Sequence, residues 1–418
     1  MANIEGRAEP PWGCVLTQSA APRGASGGSG LPAGKSPRVL WITNRAAPYR
    51  RPIWDALGRV FELQVGLLEN DRRFLRDMGN RGAEWASGGA DSYSTREIPT
   101  IRFVRGESSY YLSLATPLTL RFRPTAVLIG GWESPAYWQA LLQAKLSRAR
   151  TVGFYESTLQ SQGFRRGPIA RARSSFFRHL DMVVVPGIAA RDALLGMGVK
   201  LDSIAVGFNA VDVESINRIA IETRRDLQLG GNKASPPVQG HRFLFAGQFI
   251  PRKRPVELIR AFSAVRADGD SLTMVGKGML AQAVCEEIER LKLSDAVRVI
   301  PMVPYEDMPA LLAGHDTLVL PSSEEVWGLV ANEALAAGLH VVVTRVCGVT
   351  PSIENMCGVM IAEDKADLVA QMSLSRARWH GAIIEPEILK FTPKAFALVF
   401  EQALLGPAER MLSQGADA

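Results

Sequence analysis

Two glutamates stand eight positions apart in SSEEVWGLVANEALAAG, residues 322 to 338: Glu325 before a Trp-Gly turn and Glu333 after it. Carboxylates seldom leave water unpaired, so both are out of place in an otherwise apolar segment. The run TLVLP ahead of them reads as a strand ending at Pro321, and GLVANEALAAG as a helix that starts near Gly328 and stops at Gly338. Glu325 then sits in the loop at the carboxyl end of the strand, and Glu333 about one and a half turns into the helix. The helical rise puts the two carboxyls roughly 10 Å apart. Between them the N–H groups of Gly328, Leu329 and Val330 open the helix at the positive end of its dipole. That array suits a ligand with hydroxyls at both ends and an anion in the middle. In a nucleotide sugar, Glu325 would accept from sugar hydroxyls, the amides would hold the pyrophosphate, and Glu333 would take the ribose, because an ionised carboxylate accepts and donates nothing. Two isolated glutamates are more often solvated acids, one in a loop and one on a helix surface, so the surroundings must decide.

Those surroundings alternate short apolar runs with amphipathic segments, the rhythm of parallel strands covered by helices. In the first half the runs are Val39 to Thr43, Phe61 to Leu67, Ala126 to Ile129, Thr151 to Tyr155 and Met182 to Val185, with helical patterns over Ala136 to Leu146 and Ala189 to Met197. After Phe208 the rhythm fails in a stretch of mixed charge with paired Gly and paired Pro, which marks a connection. It resumes with FLFAG at Phe243, LTMVG at Leu272, VRVI at Val297, TLVLP at Thr317 and HVVVT at His340. The expected fold class is α/β, with two Rossmann-like open parallel-sheet domains facing a cleft. The expected boundaries are a disordered Gly/Ser/Pro/Ala-rich tail at 1–36, a first domain at 37–208, the connection at 209–240, a second domain at 241–392, and a helical segment at 393–418 that packs back on the first domain.

A chain of 418 residues exceeds what one core usually organises, which agrees with two domains. No apolar run reaches the ~18 residues that would suggest a spanning helix. Cys14, Cys285, Cys347 and Cys357 show no metal-ligand spacing, and the first residues lack an apolar signal core, so a reducing cytoplasm is expected. The net charge of +6 is too modest to select a partner. Its distribution is more telling: between Lys145 and His179 lie Arg148, Arg150, Arg165, Arg166, Arg171, Arg173 and Arg178, against the single acid Glu156. Interleaved with Phe176 and Phe177, this segment reads either as a basic amphipathic face for an anionic membrane surface, or as a solvated helix face whose phenylalanines are core. No groove-reading motif points to nucleic acid.

With its flanks, PSSEEVWGLVANEALAAGLHVVVT closely resembles the donor-site signature of the retaining glycosyltransferases of family 4, which have the two-domain GT-B fold. FAGQFIPRKRPVELIRAF resembles the strand, loop and lysine that open the family's second domain, and LTMVGKGML its next strand and Gly-x-Gly turn. MVVVPGIAARDALLGMGV and NAVDV resemble the end of its first domain and the exit into the hinge. The resemblance covers most of residues 37 to 405, densely in the second half and loosely in the first. It implies a hexosyltransferase that moves a sugar from a nucleotide-sugar donor to a hydroxyl of a glycan, lipid-linked or small-molecule acceptor, with retention at the anomeric carbon. It further implies a cytoplasmic or peripheral membrane setting such as polysaccharide biosynthesis. Glu325 and Lys253 become the expected catalytic pair, and the Gly247 loop lets backbone approach the diphosphate that Lys253 contacts. No metal and no cofactor is expected, since GT-B enzymes manage the leaving diphosphate with cations and helix dipoles.

The chain departs from the family pattern at several positions. The companion arginine of Lys253 is Gln248, with Arg252 and Arg254 as substitutes close by. The family histidine of the first domain is missing from VLIGGWESPAYW, where Trp132, Glu133 and Ser134 occupy the loop. The opening loop TNRAAPYRRP sets Tyr49 and Arg50 at the carboxyl edge where open α/β sheets bind ligands; acceptor contact and a proline-fixed turn with Tyr49 packed over it are equally supported. Glu156, just beyond a strand end, either orients an acceptor hydroxyl or caps a turn. Asp268 to Asp270 (DGD) precedes a strand and reads as a turn, Gly34 to Ser36 (GKS) lacks the glycine and strand of a phosphate loop, and His340 reads as structural. Two rivals remain: a nucleotide-sugar epimerase of similar build, and a non-catalytic degenerate transferase acting as a membrane-associated binding protein.

Overall fold

In the computed structural model, which describes residues 36–69, 92–105, 108–114, 122–230 and 240–406, the apolar runs become the strands of two parallel sheets. The first half supplies β1 (Arg38–Thr43), β2 (Glu62–Leu67), β3 (Ser94–Glu97), a hairpin of β4 (Thr100–Arg105) and β5 (Ser108–Ser113), then β6 (Ala126–Ile129), β7 (Arg150–Phe154), β8 (Met182–Val185) and β9 (Ile204–Val206). Seven of these form one sheet in the order β3-β2-β1-β6-β7-β8-β9, while β4 and β5 pair only with each other. The second half supplies β10 (Arg242–Ala246), β11 (Ser271–Val275), β12 (Val297–Ile300), β13 (Thr317–Leu320), β14 (His340–Thr344) and β15 (Val359–Ala362), ordered β12-β11-β10-β13-β14-β15. The strand order reverses beside β1 in the first sheet and beside β10 in the second, and at such points the carboxyl edge opens a crevice for ligands.

Parallel strands need cover on both faces, and the helices provide it. Along the chain these are α1 (Arg51–Gly58), α2 (Pro135–Leu146), α3 (Pro168–Arg178), α4 (Ile188–Gly196), α5 (Val213–Gly230), α6 (Pro255–Val265), α7 (Ala281–Arg290), α8 (Met308–Ala313), α9 (Leu329–Ala336), α10 (Thr350–Ile353), α11 (Lys365–Arg378) and α12 (Pro393–Leu404). Helices α2, α3 and α4 close one face of the first sheet over Leu40, Ile42, Val127 and Ile129. The other face, with Trp41, Val65 and Phe154, is closed by α1 and by α12. In the second sheet α5, α8 and α9 cover Leu244, Leu318 and Val341, while α6, α7 and α11 cover Phe243, Met274 and Val342.

Helix α12 therefore completes a core begun some 350 residues earlier. Phe400 packs against Trp41 with ring centroids 4.9 Å apart and against Phe154 at 5.3 Å. Arg150 Nε donates to the Ala403 carbonyl at 2.8 Å. The stretch from 209 to 240, read from its mixed charge as a connection, carries α5, whose Val213, Ile216 and Ala220 are buried in the second core. Where the chain passes between the sheets, Phe208 stacks on Phe391 at 4.1 Å and meets Trp327 edge-on at 5.1 Å. Residues 1–35, with Gly34 and Lys35 of the GKS sequence, lie outside the described residues. Among the described residues no helix is long and apolar enough to cross a membrane.

Candidate active site

The loop from β13 to α9 is built to present Glu325. Gly328 caps α9 with φ of 100°, a left-handed conformation that glycine adopts without strain, and a Cβ there would stand 2.8 Å from Leu320 Cδ2. Behind the loop, Glu325 pairs with Cys347 in a parallel bridge, the Gly348 amide donates to the Glu325 carbonyl at 3.0 Å, and the Val349 amide to the Trp327 carbonyl at 3.1 Å. The Glu325 side chain is thereby aimed across the loop at Lys253, whose Nζ donates to Glu325 Oε2. Lys253 ends a single 3₁₀ turn, Pro251–Lys253, after β10. That turn is tied to the Glu325 loop, because the Ser323 amide donates to the Arg252 carbonyl at 2.7 Å. Arg254 follows in the left-handed region at φ of 52° and caps α6, while Gln248 and Gly247 sit half-buried on the same edge. Gly247 is backed by the Gly276–Gly278 turn, where a Cβ on Gly276 would fall 1.9 Å from the Gly247 carbonyl oxygen.

Glu333, five residues into α9, faces different surroundings. Its side chain lines a cavity of about 230 Å³ with Tyr305, Asp212, Ser215, Ile216 and Met308. Burial pushes its carboxyl up to about 7. The Tyr305 phenol is raised by burial and then by Glu333 and Asp212, so it stays a protonated donor. The two glutamates thus flank the start of α9 in distinct roles: Glu325 is held as an ion-pair partner, and Glu333 is a desolvated acid facing an open space. Leu329 and Val330 open α9 with amides that have no partner within the helix, while the Ala331 amide donates to the Gly328 carbonyl at 2.9 Å.

On the first sheet the carboxyl edge gathers three of the sequence candidates. Arg50, at the end of the 3₁₀ turn after β1, is buried; its Nη2 donates to Glu156 Oε2 at 2.7 Å and its Nη1 to Thr43 Oγ1 at 3.2 Å. The guanidinium lies 5.8 Å from the Tyr49 ring centroid and 5.0 Å from that of Phe154. Desolvation alone would lower the Arg50 pKa, but Glu156 leads a set of neighbours that raises it, and the residue is firmly cationic. Trp132 and Glu133 are drawn elsewhere. Glu133 folds back so that Oε2 accepts from the Trp132 amide at 3.0 Å, and the Trp132 ring lies under Arg173 at 5.5 Å. They form the mouth of the α2–α3 core instead of joining Arg50 and Glu156.

Two asparagines that the sequence reading passed over join the edges. Asn209 Nδ2 donates to Glu156 Oε1 at 3.3 Å, and its own carbonyl accepts from Asn332 Nδ2 at 2.6 Å. Asn332 is fully buried and precedes Glu333 on α9. A polar line therefore runs from α9 through Asn209 and Glu156 to Arg50. A polar side chain at a buried position of GLVANEALAAG was the available signal.

The arginine-rich segment divides. Phe176 and Phe177 are core, and Arg173 is buried with Nη2 donating to Gln162 Oε1 at 2.9 Å. Arg165, Arg166, Arg171 and Arg178 are exposed. Asp270 accepts from the amides of His241 and Ala267 and from Arg376, which makes DGD a turn anchor. His340 opens β14 with Nδ1 3.2 Å from the Ser375 carbonyl. Among the described residues no three His, Cys, Asp or Glu side chains cluster to hold a metal.

Residues 232–373 match the model of the family described as glycosyl transferases group 1. A D-inositol 3-phosphate glycosyltransferase of Salinispora arenicola is 30% identical over 177 residues, which is 40% of this chain and 40% of that protein. An uncharacterized glycosyltransferase of Bacillus subtilis, YqgM, is 29% identical over 142 residues, 33% of this chain and 37% of its own. The chain thus spans about 40% or less of the length of these curated relatives. Over nearly the whole chain the fold is that of solved GT-B glycosyltransferases. Sucrose-phosphate synthase from Thermosynechococcus elongatus superposes with a TM-score of 0.65 at 15% identity, covering 91% of this chain and 100% of that one. The Anabaena protein HepE, in complex with UDP, superposes at 0.59 with 13% identity, covering 91% and 99%.

Proposed function

We propose that this chain is a retaining glycosyltransferase of family 4, a hexosyltransferase that takes its sugar from a nucleotide diphosphate donor and delivers it to a hydroxyl acceptor. The observation that carries the reading is the pairing of Lys253 with Glu325 beside the glycine-capped start of α9, with Glu333 facing a cavity further along the same helix. In this reading the donor's diphosphate takes Lys253 from Glu325 and lies against the first-turn amides of α9. Glu325, released, accepts from the hydroxyls of the transferred sugar, and Glu333 with Tyr305 holds the ribose.

As the bond from the anomeric carbon to the diphosphate oxygen breaks, negative charge grows on the leaving group. Lys253 and the helix dipole are already aimed at that position, and fixed donors at a developing charge supply the largest single catalytic contribution expected of such a site. The departing diphosphate takes the proton of the incoming hydroxyl on the same face, which leaves the configuration retained. Arg50 and Glu156, on the facing edge, orient the acceptor. UDP is the first base to try, because the structurally similar Anabaena protein binds it.

A thermal-shift panel of UDP, GDP and ADP with their sugar conjugates tests the reading. A ligand at a hundred times its Kd stabilises by about 2.7 kcal/mol, a shift of several degrees. One nucleotide should shift the wild type, and both Glu333→Ala and Lys253→Ala should lose most of that shift. Absence of any shift across the panel would sink the proposal.

A further inference from the structure

The carboxyl edge of the first sheet continues past Arg50 to a pocket that none of the groups above uses. β2 runs on through Leu68 and Glu69, whose amides donate to the Thr43 and Asn44 carbonyls at 3.0 Å each. Thr43 is the residue that receives Arg50, and Asn44 Oδ1 accepts from the Tyr137 hydroxyl at 2.7 Å. The pocket beside Glu69 therefore adjoins the Arg50–Glu156 pair along one strand edge. Its volume is about 380 Å³, within the ~300–1,000 Å³ range of small-molecule sites.

At its wall, Glu69 is 4% exposed. One carboxylate oxygen, Oε2, accepts from Arg45 Nε, while Oε1 is buried with no hydrogen-bond partner among the described residues. A buried carboxylate oxygen without a donor is costly, so a ligand hydroxyl that donates to it is favoured here. The neighbours narrow the chemistry. Among the described residues Glu97 and Arg102 also line the pocket and Arg45 is paired to Glu69, so the charges of the described lining balance. Tyr111 is kept protonated by burial and by Glu69. Leu68, Ile98 and Leu114 provide flat apolar walls.

Resting on the glycosyltransferase reading, we propose that this pocket is the acceptor subsite, and that it takes an uncharged hydroxyl-rich ring, a pyranose of a glycan, with one ring hydroxyl donating to Glu69 Oε1. The C–H faces of the ring lie on Leu68 and Leu114, and the Tyr111 hydroxyl donates to a ring oxygen. The adjoining Arg50–Glu156 pair then meets the hydroxyl that reacts.

Saturation-transfer NMR on the full chain, with and without UDP, tests it using methyl α-glucoside, methyl α-galactoside, methyl α-mannoside and myo-inositol, with inositol phosphate as the anionic contrast. At least one neutral ring should bind, and Glu69→Gln should weaken it at least tenfold. Leu114→Trp, at a surface position on the rim, should do the same by filling the pocket, and it leaves the buried Arg45–Glu69 pair intact. The nucleotide-dependent thermal shift should survive both changes. Failure of every neutral ring to bind, binding unchanged in both variants, or preference for the phosphorylated ring would overturn the subsite. Loss of the nucleotide shift in the wild type would strike the donor reading instead and leave the ring-binding result standing.

Discussion

Glu333 gives the site a measurable acid–base signature. Glutamate ordinarily titrates at 4.5, and burial pushes this one to about 7. Between those values the folded chain holds a proton that the unfolded chain has lost, so Glu333 makes stability fall as pH rises from 4.5 to 7 and then level off. At about 1.4 kcal/mol per unit the full loss is about 3 kcal/mol. Glu333→Gln cannot ionise, so its urea midpoint should exceed that of the wild type at pH 8 and approach it at pH 5; equal midpoints at pH 8 would contradict the buried acid. A ribose that donates to this carboxylate favours its charged form, and nucleotide binding near pH 7 should release a proton, read from titration heats in buffers of different ionisation enthalpy. At this scale the sequence was informative where chemistry and local pattern coincide. Glu325, Glu333 and Gly328 stood out because a helix start with acids on either side is a local arrangement. Asn209, Asn332 and Glu69 did not, because what distinguishes them is burial against residues far away in the chain.

Among elements, α9 carries the heaviest demand, since the amides of Leu329 and Val330 must arrive uncovered and its entry glycine left-handed. Gly328→Ala forces a Cβ toward Leu320 in a backbone conformation that side chains resist. The expected cost is about 1–3 kcal/mol, seen as a lower denaturant midpoint. Nucleotide affinity should fall further than that loss explains, because the amides are misaimed; unchanged affinity would remove α9 from the donor site. The elements that were legible are those buried on both faces. β1, β6, β8, β10, β13 and β14 read directly from their aliphatic runs. The β4–β5 hairpin escaped because Ile101 and Phe103 are exposed and Arg102 and Arg105 interrupt the pattern, so neither strand has a clean buried face. Helix α5 escaped because its mixed charge hides a narrow apolar stripe.

In the whole molecule the two sheets and their parallel strands follow from two series of apolar runs, whereas the GT-B arrangement is what the resemblance implies and the likeness to solved structures shows. The crossing of 393–418 back to the first domain is expected above, but PKAFALVFEQAL itself reads only as an amphipathic helix, and the uncovered face of Trp41 and Phe154 determines where it docks. Phe400→Ala should cost about 3–5 kcal/mol by emptying the space between those rings. Hydrogen exchange should show the loosening in β1 and β7 and leave β10 and β13 protected; uniform loosening of both sheets would mean that they share one cooperative unit.

The same crossing orders events at the ribosome. Synthesis proceeds at about 5–20 residues per second, so the face of the first sheet that carries Trp41 and Phe154 waits on the order of ten seconds or more after its strands emerge before α12 follows. The second sheet is built from strands and covering helices contiguous in the chain and waits for nothing. The half made later is thus the half able to finish first, and the earlier half spends the interval as an adhesive surface that a nascent-chain chaperone would shield.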